Sequence, residues 1–195
     1  MLFSFFHLFY LIRSEDIIGQ IYENSYKVAY ESLVSSPDVV ISIIECKFTS
    51  NMGDGINPGA IKVMGDGSII IQSSDFNGNS GTNEGGAIYL AIKSSTISNC
   101  TFNSNICSSQ SVSTESNGGA IFIKSQNENN YNINSCLFTQ NKATTKGGSI
   151  FIDHLTYSYE YTSIIGCVFT NSESEQEGGA IYLLYRDSTS GISGH

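Results

Sequence analysis

Phe102-Asn103-Ser104-Asn105, then a polar loop, then Gly118-Gly119-Ala120-Ile121: this pair of boxes decides the fold, because the chain repeats it. The first box recurs as Phe48-Thr49-Ser50-Asn51, Phe76-Asn77-Gly78-Asn79, Phe138-Thr139-Gln140-Asn141 and, altered, Phe169-Thr170-Asn171-Ser172. The second recurs as Pro58-Gly59-Ala60-Ile61, Gly85-Gly86-Ala87-Ile88, Gly147-Gly148-Ser149-Ile150 and Gly178-Gly179-Ala180-Ile181. A unit of roughly 30 residues with short strand-like segments is the signature of a solenoid.

Facing can be read within each unit. After the glycines come Ile61-Lys62-Val63, Ile88-Tyr89-Leu90, Ile121-Phe122-Ile123, Ile150-Phe151-Ile152 and Ile181-Tyr182-Leu183. Side chains alternate faces along a strand, so the constant aliphatics point inward and the variable middle residue points out. Cys46-Lys47-Phe48, Ser74-Asp75-Phe76, Cys100-Thr101-Phe102, Cys136-Leu137-Phe138 and Cys167-Val168-Phe169 follow the same rule. A third strand precedes them, seen in Ile41-Ser42-Ile43 and Ile69-Ile70-Ile71. One such unit cannot bury its apolar face alone, whereas stacked copies make a continuous core. The expected fold is all-β: a right-handed parallel β-helix of about five to six coils, with about three short strands per coil. Coils separated by about 4.8 Å give a rod on the order of 25–30 Å long.

The boxes then acquire physical roles. Gly59, Gly86, Gly119, Gly148 and Gly179 are expected at a sharp bend with positive φ. Asn51, Asn79, Asn105 and Asn141 are assigned to a left-handed turn position, with their amides bonding up the stack. Phe48, Phe76, Phe102, Phe138 and Phe169 form an aromatic core stack. Cys46, Cys100, Cys136 and Cys167 share one inward site with Ser74, which favours small buried thiols over disulfides. Cys107 lies outside that pattern and is expected to be the exposed thiol. Tyr89, Phe122, Phe151 and Tyr182 should form an outer aromatic stripe, either a ladder that stabilises stacking or a surface for sugars or proteins.

Composition sets outer bounds. The chain has 195 residues and net charge −9, so it is one domain whose acidic surface disfavours nucleic acid. The apolar run Leu2–Ile12 is shorter than the ~20 residues of a membrane helix. It suits a signal-peptide core; the other reading is a buried strand or cap. No later stretch is long enough for a transmembrane anchor. The expected division is a leader at 1–14, a cap or first coil at 15–40, β-helix repeats at 41–187 and a tail at 188–195. Insertions fall near Ser108–Ser113 and at Leu155–Tyr161.

The alternation of Gly-Gly-Ala-Ile with Phe-x-x-Asn, with Cys two residues before Phe in four of five units, resembles the chlamydial polymorphic outer membrane protein repeat. The resemblance covers roughly residues 40 to 185. It implies a secreted, surface-displayed β-helix associated with adhesion, and it implies no particular chemistry.

Parallel β-helices also carry carbohydrate-active enzymes, which need two carboxylates facing one groove. Asp75 has Lys47, Thr101, Leu137 and Val168 as its equivalents; Asp153 has Met64, Ala91, Lys124 and Leu184. Neither has an acidic partner in its own column. No metal-ligand spacing is present, so no catalytic residue, metal or cofactor is assigned. Asn99-Cys100-Thr101 is a glycosylation sequon, with Asn99 facing outward. The sequence therefore reads as a non-enzymatic, extracellular or cell-surface β-helix, adhesin-like, binding a protein or glycan and capable of end-to-end self-association. The alternatives are a carbohydrate-active β-helix enzyme and a fragment of a longer surface protein.

Overall fold

The computed structural model describes residues 14–109, 115–125, 130–154 and 161–185. All described regular structure is strand, and every ladder between strands is parallel. The chain winds as a β-solenoid of about five turns. One wall is a broad sheet containing Val40–Ile44, Ile61–Gln72, Ile88–Ser98, Ile121–Lys124, Ile150–His154 and Ile181–Tyr185. The second stacks Ile21–Glu23, Lys47–Thr49, Asp75–Asn77, Thr101–Asn103, Leu137–Thr139 and Val168–Thr170. The third wall is narrower: Ser80–Gly81, Ile106–Cys107, Lys142–Ala143 and Glu173–Ser174. Those two-residue strands are too short to show alternation, and the sequence reading of three strands per coil omits them.

The register aligns the repeat. Ile88 pairs with Ile61 and Ile121, and Ile121 with Ile150. All four are fully buried, as are Val63, Leu90, Ile123 and Ile152. Phe48, Phe76, Phe102, Phe138 and Phe169 stack at centroid separations of 5.0, 4.7, 4.8 and 4.8 Å with nearly parallel rings. The stack has a sixth ring, Tyr22, 4.8 Å below Phe48. Residues 14–34 are therefore a full coil: Ser14–Ile18 and Tyr30–Val34 pair with the coil above. Its box, Tyr22-Glu23-Asn24-Ser25, has the same altered form as Phe169-Thr170-Asn171-Ser172. Tyr in place of Phe and the displaced Asn hide it in the sequence.

The Asn positions are corrected by one residue. The left-handed residues are Ser50, Gly78, Ser104 and Gln140, each just before the Asn. Asn51, Asn79, Asn105 and Asn141 lie beyond the bend, fully buried, and form the expected amide ladder. Nδ2 of Asn51, Asn79 and Asn105 donates to Oδ1 of the next Asn up the stack, at 3.0 Å each time. The same Oδ1 atoms accept the main-chain N–H of the Asn below. Each Nδ2 also donates to the carbonyl of the aromatic residue one coil down: Tyr22, Phe48, Phe76 or Phe102. In the last coil Asn171 itself is left-handed, and Ser172 meets the top of the ladder through Ser149, Oγ to Oγ 2.7 Å.

The glycines divide their work differently from the expectation. Positive φ falls on the first of each pair, Gly85, Gly118, Gly147 and Gly178. Gly86, Gly119 and Gly148 are required by contact instead: a Cβ on any of them would overlap the carbonyl oxygen of the second glycine one coil up. A Cβ on Gly59 would overlap the Asn51 carbonyl. Gly179, in the last described coil, meets nothing closer than ordinary van der Waals contact.

All five cysteines are free thiols. Cys46, Cys100 and Cys136 are buried and Cys167 half-buried. Their Sγ atoms donate weakly to main-chain carbonyls, as Cys100 does to Ser98 O at 3.2 Å, and Ser74 Oγ does the same to Gln72 O at 2.9 Å. Cys107 is not exposed. It is fully buried between Gly81 and Ala143 in the third wall, and burial pushes its thiol far up. Small residues fill that inward column, and with only two residues per strand its facing was unreadable.

Candidate interaction face

The broad sheet's outer side carries the aromatic column. Tyr89, Phe122, Phe151 and Tyr182 stack in register at 5.6, 5.0 and 5.4 Å. The expected exposed stripe is corrected here: Tyr89, Phe122 and Phe151 are only 9%, 3% and 2% exposed, and Tyr182 is half-buried. They make a second apolar cluster with Ala91, Met64 and Leu184, separate from the tube core. Strand alternation placed these rings on the outer side, and their packing on one another and on Ala91, Met64 and Leu184 covers them.

Polar residues edge this cluster on both sides. One margin is the bridge series Glu84, Asn117, Lys146 and Glu177, just before the glycine pairs. Lys146 pairs with Glu177 at 3.4 Å and lies 5.0 Å from the Tyr182 ring centroid. Hydrogen bonding with Tyr182, then the Lys146 ammonium, holds Glu177 below the usual carboxylate range. The Asn117 amide donates to Glu115, while its Oδ1 is buried without a partner among the described residues. The other margin runs through Lys124, Asp153 and, one residue on, His154. Asp153 and His154 are buried. The His154 ring stacks on Tyr185 at 4.6 Å, and its Nε2 lies 3.2 Å from Thr162 Oγ1.

Glu84 is the acid that column comparison misses, because it sits at an isolated bridge before the glycines rather than in a strand. Burial raises its carboxyl above the ordinary value, and Asp153 adds to that shift while Lys124 and Lys62 oppose it. Burial, with Glu84 and Asp153 adding, pushes the Tyr89 phenol up to about 12. Two carboxylates from different coils thus act on one phenol. Asp75 is exposed on the second wall, away from this group.

The flank formed by the second and third walls is open and polar. A groove of about 450 Å³ runs across three coils, lined by Ser104, Ile106, Gln140, Lys142, Asn171 and Glu173. Asn99 is exposed at the corner before the second wall, left-handed at φ 53°, with Cys100 turned into the core. Among the described residues no three His, Cys, Asp or Glu side chains gather into a metal site. The insertions centred on residues 110–114 and 155–160, the leader and the tail lie outside the described residues.

These coils have a known counterpart. Three of them match the Chlamydia polymorphic membrane protein repeat. The matched segments are residues 73–91, 99–124 and 135–153, and each runs from a left-handed corner through the strand after its glycines. The flanking units, with Pro58 for the first glycine and Asn171-Ser172 for the ladder Asn, lie outside the matches. No curated protein and no solved structure matches the chain.

Proposed function

We propose that this protein acts outside the cell as a non-enzymatic, adhesin-like β-helix whose flanks bind a protein or glycan at a cell surface. The observation that carries this reading is the polymorphic membrane protein repeat in three consecutive coils. The polar groove supports it: amides, the Ser104 hydroxyl, Lys142 and Glu173 beside exposed Ile106 suit recognition by hydrogen bonds and a small apolar contact. The net charge of −9 disfavours phosphate-rich partners. The test is adhesion of chain-coated beads to a panel of cultured cells and to immobilised neutral glycans. Binding should be competed by soluble chain and weakened by the double substitution Gln140→Ala, Lys142→Ala. Beads that hold no better than those carrying heat-denatured chain refute the reading.

One observation favours a second reading, a carbohydrate-active enzyme. Burial raises the Glu84 carboxyl, and Glu84 and Asp153 both push the Tyr89 phenol up, so two acidic side chains from different coils act on one outer site. Release of reducing ends from pectin or alginate, abolished by Glu84→Gln and by Asp153→Asn, would establish it; no release keeps the binding reading.

A further inference from the structure

The two end coils differ from those between them in a matched way. One outward column reads Ile18, Ile44, Gln72, Ser98, Asn134, Ile165 along the stack. A second reads Ile21, Lys47, Asp75, Thr101, Leu137, Val168. Both are apolar at the two ends and mainly polar between them, with Ile44 and Leu137 the apolar members of the inner coils. Ile18 and Ile21 are 55% and 63% exposed, and Ile165 and Val168 are 66% and 55% exposed. The core behind them is also less covered in the last coil, where Ile164, Cys167, Phe169 and Ile181 are only partly buried.

The main chain is complementary between the same ends. Along one corner row, the N–H of each coil donates to a carbonyl of the next: Gly19 to Ile44, Glu45 to Gln72, Ser73 to Ser98, Asn99 to Asn134, Ser135 to Ile165. Among the described residues the series leaves the Gly166 N–H at the last coil and the Ile18 carbonyl at the first, the latter accepting from its neighbour Gln20 at 3.2 Å. The adjacent row runs the other way: Lys47 to Gln20, Asp75 to Cys46, Thr101 to Ser74, Leu137 to Cys100, Val168 to Cys136. Among the described residues it leaves the Cys167 carbonyl at the last coil and the Ile21 N–H at the first. Donors left over at one end thus face acceptors left over at the other, in the register that joins every inner coil.

We infer that the protein adds to itself head to tail, the first coil of a second copy (residues 14–34) docking on the last coil (residues 161–185). Ile18 then continues the column of Ile165, Ile21 that of Val168, and Tyr22 the stack above Phe169. Unpaired strand edges recruit strands. Because the joined surfaces are different, the contact does not close on itself and the product is an open filament.

The test uses two full-length double variants at exposed positions. Ile165→Lys, Val168→Lys blocks the last coil; Ile18→Lys, Ile21→Lys blocks the first. Wild-type chain should sediment as species that lengthen with concentration. Each variant alone should be monomeric, with a far-ultraviolet circular dichroism spectrum and melt like wild type. Mixed in equal amounts, the two should form a one-to-one dimer, since each retains the end the other lacks. A wild-type chain that is monomeric at millimolar concentration overturns the inference and means another segment covers an end. So does either variant dimerising by itself, or a mixture that stays monomeric.

Discussion

Replacing Asn105 with Ala removes a side chain that joins three coils. Its Nδ2 donates to Phe76 O and to Asn141 Oδ1, both at 3.0 Å, and its Oδ1 accepts the Asn79 main-chain N–H and Asn79 Nδ2, again at 3.0 Å. The Asn79 N–H loses its partner in a site with no solvent, which costs roughly 1–3 kcal/mol. Asn79 Nδ2 keeps its bond to Phe48 O, and Asn141 Oδ1 keeps the Asn105 main-chain N–H, so these contribute less, each about 0.5–1 kcal/mol. The total is about 2–5 kcal/mol, a large part of the 5–15 kcal/mol typical of a folded domain. Asn105→Asp keeps the shape but sets an oxygen against Phe76 O and Asn141 Oδ1. At pH 7 it should destabilise more than Ala, and acid that protonates the new carboxyl should recover part of the loss. Asn103→Ala, two residues away with an exposed amide bond to Asn77 and a long one from its neighbour Ser104, should cost under about 0.5 kcal/mol. Urea melts followed by circular dichroism measure all three. A loss below about 1 kcal/mol for Asn105→Ala, or equal losses at Asn103 and Asn105, would refute the ladder argument.

Other substitutions probe the remaining layers. Phe102→Ala opens a void between Phe76 and Phe138 and should cost about 3–5 kcal/mol in the same melts, against under about 0.5 for outward Thr101→Ala; similar losses would mean the facing is wrong. Gly119→Ala places a methyl on the Gly148 carbonyl and should prevent stacking of those coils, seen as loss of the cooperative transition, whereas Gly179→Ala should cost no more than about 1 kcal/mol. Glu84 has a folded-state pKa raised above its unfolded value, so the folded state holds its proton more tightly and stability falls as pH rises from the unfolded carboxyl range through the raised value. Glu84→Gln should therefore flatten the stability profile over that window and leave the variant more stable than wild type at pH 7; an unchanged slope in pH-dependent melts would contradict this.

The periodic boxes determined the solenoid, the inward Phe and Ile columns, the small site shared by Cys and Ser, and the amide ladder. Those properties follow from strand alternation and from repetition: equivalent residues in an in-register stack must meet, whatever the loops do. Tertiary structure decided what depends on distance between coils and on coverage. Left-handed φ belongs to Ser104 rather than Asn105, and to Gly118 rather than Gly119, because the side chain of one and the missing side chain of the other are needed against the next coil. Cys107 is buried because its two-residue strand turns inward, a facing too short to be read as a pattern. Phe122 and Phe151 lie on the outer side of their strands and yet out of solvent, and Asp153 acts from another coil on the same phenol as Glu84. A sequence period reports which residues stack; only the packed chain brings a turn residue of one coil against a strand residue of another.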